Sequence, residues 1–163
     1  MHKLKVPLII LLGILSFSAC EKDDICSDAD TPRLILRFYD ISDTTELKDV
    51  QNLVVRGLND SGVQDSIIAN AALDSIVLPL RVNSPSTSFT ISRQTDILDI
   101  NIDTLTFNYE AKEIYTSRAC GFIVNYDALE ATVKQDDSVW IQETRIITSL
   151  VENTASAHVK ILH

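Results

Sequence analysis

Three cysteines, a ladder of aspartates and one basic-aromatic segment are where side-chain chemistry concentrates in this chain. Cys20 follows Ser18 and Ala19 at the end of an apolar run. Ser18, Ala19 and Cys20 resemble a lipobox, which implies that the thiol is acylated and the chain cut so that Cys20 becomes its first residue. The alternative is an ordinary secretory peptide with an incidental cysteine. Cys26 and Cys120 then remain as an even pair, and one disulfide between them is the economical reading in an oxidising compartment. Closing so long a loop could stabilise the fold by up to about 4 to 5 kcal/mol through the chain entropy of the unfolded state. The alternative makes Cys120 a nucleophile, its thiolate favoured by Arg118 and His158 acting as base, but no active-site context surrounds it.

The carboxylates admit two readings. Asp96, Asp99 and Asp103 could supply the paired acids of an envelope hydrolase, whereas acids at alternate positions of a strand more often form its solvated face, which is the reading preferred here. Asp28 and Asp30 resemble a fragment of a calcium loop without its glycine and distal glutamate, and are expected to be tether. No metal site and no cofactor are expected, since phosphate loops, nucleophile elbows and metal-type cysteine pairs are absent and the mature histidines are His158 and His163 alone.

Arg33-Leu34-Ile35-Leu36-Arg37-Phe38-Tyr39-Asp40 is the segment best suited to meet a partner. Arg37 and Tyr39 share the face opposite Leu36 and Phe38, where a guanidinium and an aromatic ring offer hydrogen bonding and stacking. The structural reading of Arg37 is a salt bridge to Asp40 or another acid. Tyr109, Tyr115 and Tyr126 are too scattered to define a sugar platform. Five triplets place a hydroxyl after an aspartate, at Thr44, Ser66, Ser75, Thr104 and Ser138, all but the first followed by an apolar residue, and resemble the O-glycosylation sequon of Bacteroidota. The same triplets also suit the end of a turn and the start of a strand.

These groups must be positioned by something, and the chain divides into an address and a head. Lys3 and Lys5 precede an apolar core over residues 6–17 that is shorter than the ~20 residues of a membrane span, so residues 1–19 read as a cleaved lipoprotein signal. Residues 20–31 read as a lipidated tether, in which Lys22, Asp23 and Asp24 resemble the surface-export tag of Bacteroidota lipoproteins. Outer-membrane attachment facing the cell surface is the expectation, and the periplasmic face is the alternative. Without residues 1–19 the chain keeps 12 basic and 23 acidic side chains, a net charge of −11. So acidic a surface repels nucleic acid and anionic lipid rather than releasing counterions from them.

Residues 32–163 form one domain large enough to fold without a metal. Leu34, Leu36 and Phe38 alternate with Ile35, Arg37 and Tyr39, and Ile76, Leu78, Leu80 and Val82 with Val77, Pro79 and Arg81. Both are strand patterns, with Pro79 at an edge or bulge. Leu98, Ile100 and Ile102 are followed by Leu105, Phe107 and Tyr109 in the opposite phase, which calls for a turn or bulge near Asp103 and Thr104. Further strands are expected over 119–126, 139–148 and 158–162, with a helical turn over 127–133. Breakers at 59–62, 83–85 and 135–137 separate them. The expectation is an all-β, single antiparallel β-sandwich; Trp140 follows both cysteines, so it is immunoglobulin-like at most.

Cys26, Thr31-Pro32-Arg33-Leu34-Ile35-Leu36-Arg37-Phe38-Tyr39-Asp40, Leu78-Pro79-Leu80, Ser117-Arg118-Ala119-Cys120-Gly121-Phe122 and His158-Val159-Lys160-Ile161 together resemble an uncharacterised family of Bacteroidota lipoproteins. The resemblance implies a single domain with this address and brings no activity, cofactor or site residue. The functional expectation is a non-catalytic interaction module, either an accessory subunit of an envelope complex or a head that binds a protein or glycan. The hydrolase is the alternative.

Overall fold

Period-two alternation turns directly into burial along β1 (Leu34–Tyr39): Leu34, Leu36 and Phe38 are inaccessible while Arg37 is exposed. The computed structural model describes residue 26 and residues 30–96, 99–134 and 138–163. The signal, Cys20, Lys22, Asp23, Asp24, Asp28, Leu98, Asp137 and the 135–137 breaker lie outside the described residues. The other strands are β2 (Val50–Asn59), β3 (Gly62–Leu73), β4 (Ser75–Leu78), β5 (Ser86–Asp96), β6 (Asp99–Ser117), β7 (Gly121–Val133), β8 (Glu143–Ile146) and β9 (Val159–Leu162).

They form two sheets, one ordered β4-β1-β9-β8 and the other β3-β2-β5-β6-β7. The inner faces bury one continuous core that includes Leu36, Phe38, Leu53, Val55, Phe89, Ile91, Leu105, Phe107, Trp140 and Ile161. This is a β-sandwich. All pairings are antiparallel except β1 with β9, which run parallel from Leu36↔Val159 to Tyr39↔Leu162. A chain that returns to its first strand after crossing both sheets can enter from either direction, and alternation alone does not distinguish the two.

The short strand β4 is an edge and ends immediately before Pro79, so the missing N–H is never asked to join a ladder. The turn after β4 carries the chain to the other sheet, and two tyrosines hold it. The Tyr109 hydroxyl donates to Arg81 O (2.8 Å) and accepts from Arg81 N–H (3.0 Å), and the Tyr126 hydroxyl donates to Leu80 O (3.1 Å). Burial, with Tyr109 as a second cause, pushes the Tyr126 pKa up to about 12. Val82 lies past the end of the strand and is exposed.

Two expectations are corrected. There is no turn at Asp103-Thr104: β6 runs unbroken through it, in uninterrupted register with β5 from Ser86↔Asn108 to Gln94↔Ile100. The phase flip is real, but it means that Ile100 and Ile102 point outward, 59% and 54% exposed, while Asp103 takes the inner position next to Leu105. Residues 127–133 are not helical either. They continue β7, pairing Leu105↔Val133 through Asn108↔Glu130, and a register shift beside Ala128 (φ 52°) accounts for the locally broken alternation. The expected strand over 139–148 is shorter, since only 143–146 pair.

Candidate functional site

The outer face of the four-stranded sheet gathers cations from three strands. The register places Ser75, Arg37, Lys160 and Arg145 abreast across β4, β1, β9 and β8. Four residues before Arg37 and just ahead of β1, Arg33 is exposed and keeps the same alternation. Arg37 is exposed and makes no ion pair among the described residues, because Asp40 is held by Lys48 at 3.1 Å instead. That hydrogen bond and those from the Ser42 backbone and side chain keep the Asp40 carboxyl below the usual carboxylate range, the Ser42 backbone being the larger cause.

Tyr39 is partly committed. Lys160 Nζ lies 3.9 Å from its ring centroid and donates to Thr44 O at 2.7 Å, so the 41–47 loop reaches this face. Arg145 is paired with Glu143 at 2.6 Å on the exposed edge strand. Arg37 thus ends the row of three cations, its side chain in no ion pair among the described residues, while Lys160 and Arg145 beyond it are engaged. Beside it, a cavity of ≈ 820 Å³ is lined by Arg33, Ile35 and Val77 from this sheet and by Asp30, Glu152 and Asn153 from adjoining loops. The arrangement can bind an anionic or hydrogen-bonding group against a ring and a sheet face. Among the described residues no three metal-ligating side chains cluster.

The aspartates do not converge. Asp103 is fully buried, and its Oδ2 accepts from the backbone N–H groups of Trp140 (3.0 Å) and Ile141 (2.7 Å). This corrects the reading of Asp103 as part of a solvated face. Its carboxylate ties the segment after β7 to the centre of β6, and the Trp140 Nε1–H donates to Ile91 O (3.1 Å) in the same corner. Asp96 and Asp99 are exposed at the β5–β6 end, where Asp99 accepts from Thr95 Oγ1, about 13 Å of strand away from Asp103.

Nor do the elements of a cysteine nucleophile meet. Cys26 and Cys120 are joined in a disulfide with Cα atoms 5.0 Å apart. His158 is buried, its Nδ1 accepting from Ile35 N–H (3.0 Å) while its own N–H donates to Ile35 O (2.9 Å). It is a bridge between β1 and the entry to β9. Burial lowers its pKa, partly offset by a hydrogen bond with the Asn153 backbone. His163 packs edge-on against Trp140 and Phe38, and its pKa too is lowered, chiefly by burial.

The sequon hydroxyls are dispersed. Ser66 and Thr104 fall in one row, Ser66-Arg56-Thr90-Thr104, across the outer face of the five-stranded sheet. Ser66 accepts from Arg56 Nε (3.1 Å), and the acid before Thr104 is the buried Asp103. Ser75 donates to Leu36 O (3.3 Å) at the start of β4, whereas Thr44 lies in a surface loop and Ser138 is exposed. Strand entry, the expected setting, describes Ser75 alone. Tyr109 and Tyr126 are core residues in edge-to-face contact at 5.0 Å, and Tyr115 is exposed on the β6–β7 hairpin.

The fold and this face define an all-β sandwich with a basic row on one outer face of an acidic chain. A family model matches residues 52–163, and the chain belongs to that family, described as a family of unknown function (DUF6452). The match begins within β2, so Arg37 and Tyr39 on β1 precede it. No curated protein and no solved structure matches this chain.

Proposed function

We propose that this protein is the non-catalytic head of a lipoprotein of a Bacteroidota outer membrane, held through lipid on Cys20 and turned toward the cell surface by the Lys22-Asp23-Asp24 tag. The head binds an envelope protein or glycan through the outer face of the four-stranded sheet. The observation that carries this reading is Arg37, an exposed guanidinium without an ion pair among the described residues, at the β1 end of the Arg37-Lys160-Arg145 row on a chain of net charge −9. A free, planar five-donor group beside a ring suits carboxylate, sulfate or phosphate on a partner surface. The hydrolase reading has no supporting geometry, because Asp103 is already bonded to two backbone N–H groups.

The test is crosslinking and co-purification from native membranes, with Cys20→Ser and Arg37→Glu forms beside the wild type. A stoichiometric partner recovered with the wild type and lost from both variants is the expected result. Recovery of the same partner with Arg37→Glu removes the assigned face, and recovery of the protein alone removes the envelope-complex reading.

A further inference from the structure

The β6–β7 hairpin continues for eight residues beyond Tyr109, the last core residue of β6, and every position from Glu110 to Thr116 is exposed. Its end is apolar where solvent should favour polar residues. Phe122 is 64% exposed, Tyr115 56% and Ile114 42%. Tyr115 pairs with Phe122, their rings edge-to-face at 5.3 Å, and Ile114 pairs with Ile123 on the opposite face. A hairpin meant to dock on a protein needs one apolar face. This one carries apolar side chains on both, as suits a medium that surrounds it.

The disulfide says which medium is near. Cys120 lies in the turn of this hairpin, two residues from Phe122, and is bonded to Cys26. Cys26 is six residues from Cys20, so the covalent chain allows the two at most about 20 Å of separation. Thr31 Oγ1 further accepts from Val124 N–H (3.3 Å), which fixes the start of the domain alongside the same hairpin.

We infer that the tip of the β6–β7 hairpin, through Ile114, Tyr115 and Phe122, rests in the headgroup region of the bilayer that holds the lipid anchor and so sets the orientation of the head. This rests on the proposed acylation of Cys20. The Tyr115 ring, with its polar hydroxyl, favours the membrane interface, Phe122 and Ile114 add apolar surface beside it, and Arg118 in the turn is placed to meet lipid phosphates. The anchor supplies the affinity, and the tip supplies a second point of contact that a flexible tether lacks.

Hydroxyl-radical footprinting tests this on the lipidated full-length protein, purified in detergent and reconstituted into zwitterionic phosphatidylethanolamine/phosphatidylcholine vesicles, with the Cys20→Ser protein in solution as reference. Labelling of Tyr115 and Phe122 should fall several-fold on vesicles while that of Tyr39 is unchanged. Equal labelling of a protein that floats with the vesicles overturns the tip contact and leaves the anchor standing. A protein that fails to float, with an intact mass lacking acyl chains, removes the anchor and this inference with it. Protection that appears only when a co-purified protein is added assigns the tip to that protein and overturns the membrane contact.

Discussion

One strand, β6, contains the two most dissimilar environments of the molecule. From Asp103 to Tyr109 it buries every second residue between the sheets, and from Glu110 to Thr116 it buries none. The backbone ladder to β7 is common to both halves, from Leu105↔Val133 to Ser117↔Gly121. Hydrogen bonding therefore makes the strand, and the presence or absence of a facing sheet decides which side chains it needs. Each half breaks that rule once, in opposite senses: an acid is buried in the inner half, and aromatic residues are exposed in the outer half. The acid has a structural cause in the N–H groups of Trp140 and Ile141. The aromatics have no packing cause in the head, which is why they carry the membrane inference.

The contrast is broken most strongly at Asp103. Asp103→Ala leaves two buried backbone donors without their acceptor and should cost about 3 to 5 kcal/mol in urea unfolding, with Asp103→Asn milder because one oxygen remains. A loss below about 1 kcal/mol would show that Asp103 does not secure the Trp140 corner. Replacing Cys26 and Cys120 together by serine should cost about 2 to 4 kcal/mol and raise amide exchange most in the hairpin tip, where the bond is attached.

Acid acts on the inner region. Burial holds the His158 and His163 pKa values below the ordinary histidine value, so the unfolded chain takes up protons first as pH falls. Their contribution to stability is full above about pH 6.5 and is lost as pH drops through the lowered folded values. Unfolding midpoints measured across this range should fall toward acid, and the fall should shrink in a His158→Asn form. The smallest effect belongs to the outer region. Tyr115→Ser and Phe122→Ser should each change stability by no more than about 1.5 kcal/mol, the worth of their own ring pair, since neither side chain is part of the core. A larger loss would mean that the hairpin tip packs on the head after all.

What could be read from the residues followed from the same division. β1, β4 and the inner half of β6 each put an apolar face on the core, so their alternation marked them as strands; the turn signals between short strands pointed to the sandwich, and the missing N–H of Pro79 to an edge or bulge. β3 was not readable in this way, because most of its residues are exposed and its register to β2 shifts repeatedly. The inward turn of Asp103 was hidden because its partners are backbone groups 37 and 38 residues away, which no local pattern marks. The Cys26-Cys120 pairing was legible by elimination. Arg37 was placed on the correct face, but the row with Lys160 and Arg145 depends on the parallel β1–β9 pairing, and sequence periodicity carries no sign of direction.

The proposed lipid anchor underlies both the proposed function and the inferred orientation of the head, and the intact mass of the protein extracted from its native membrane tests it most directly. The expected result is a chain beginning at Cys20 and carrying two or three acyl groups, with any further mass assignable to glycan at the sequon hydroxyls. A mass corresponding to unmodified Cys20, or to a chain that keeps residues 1–19, would contradict it.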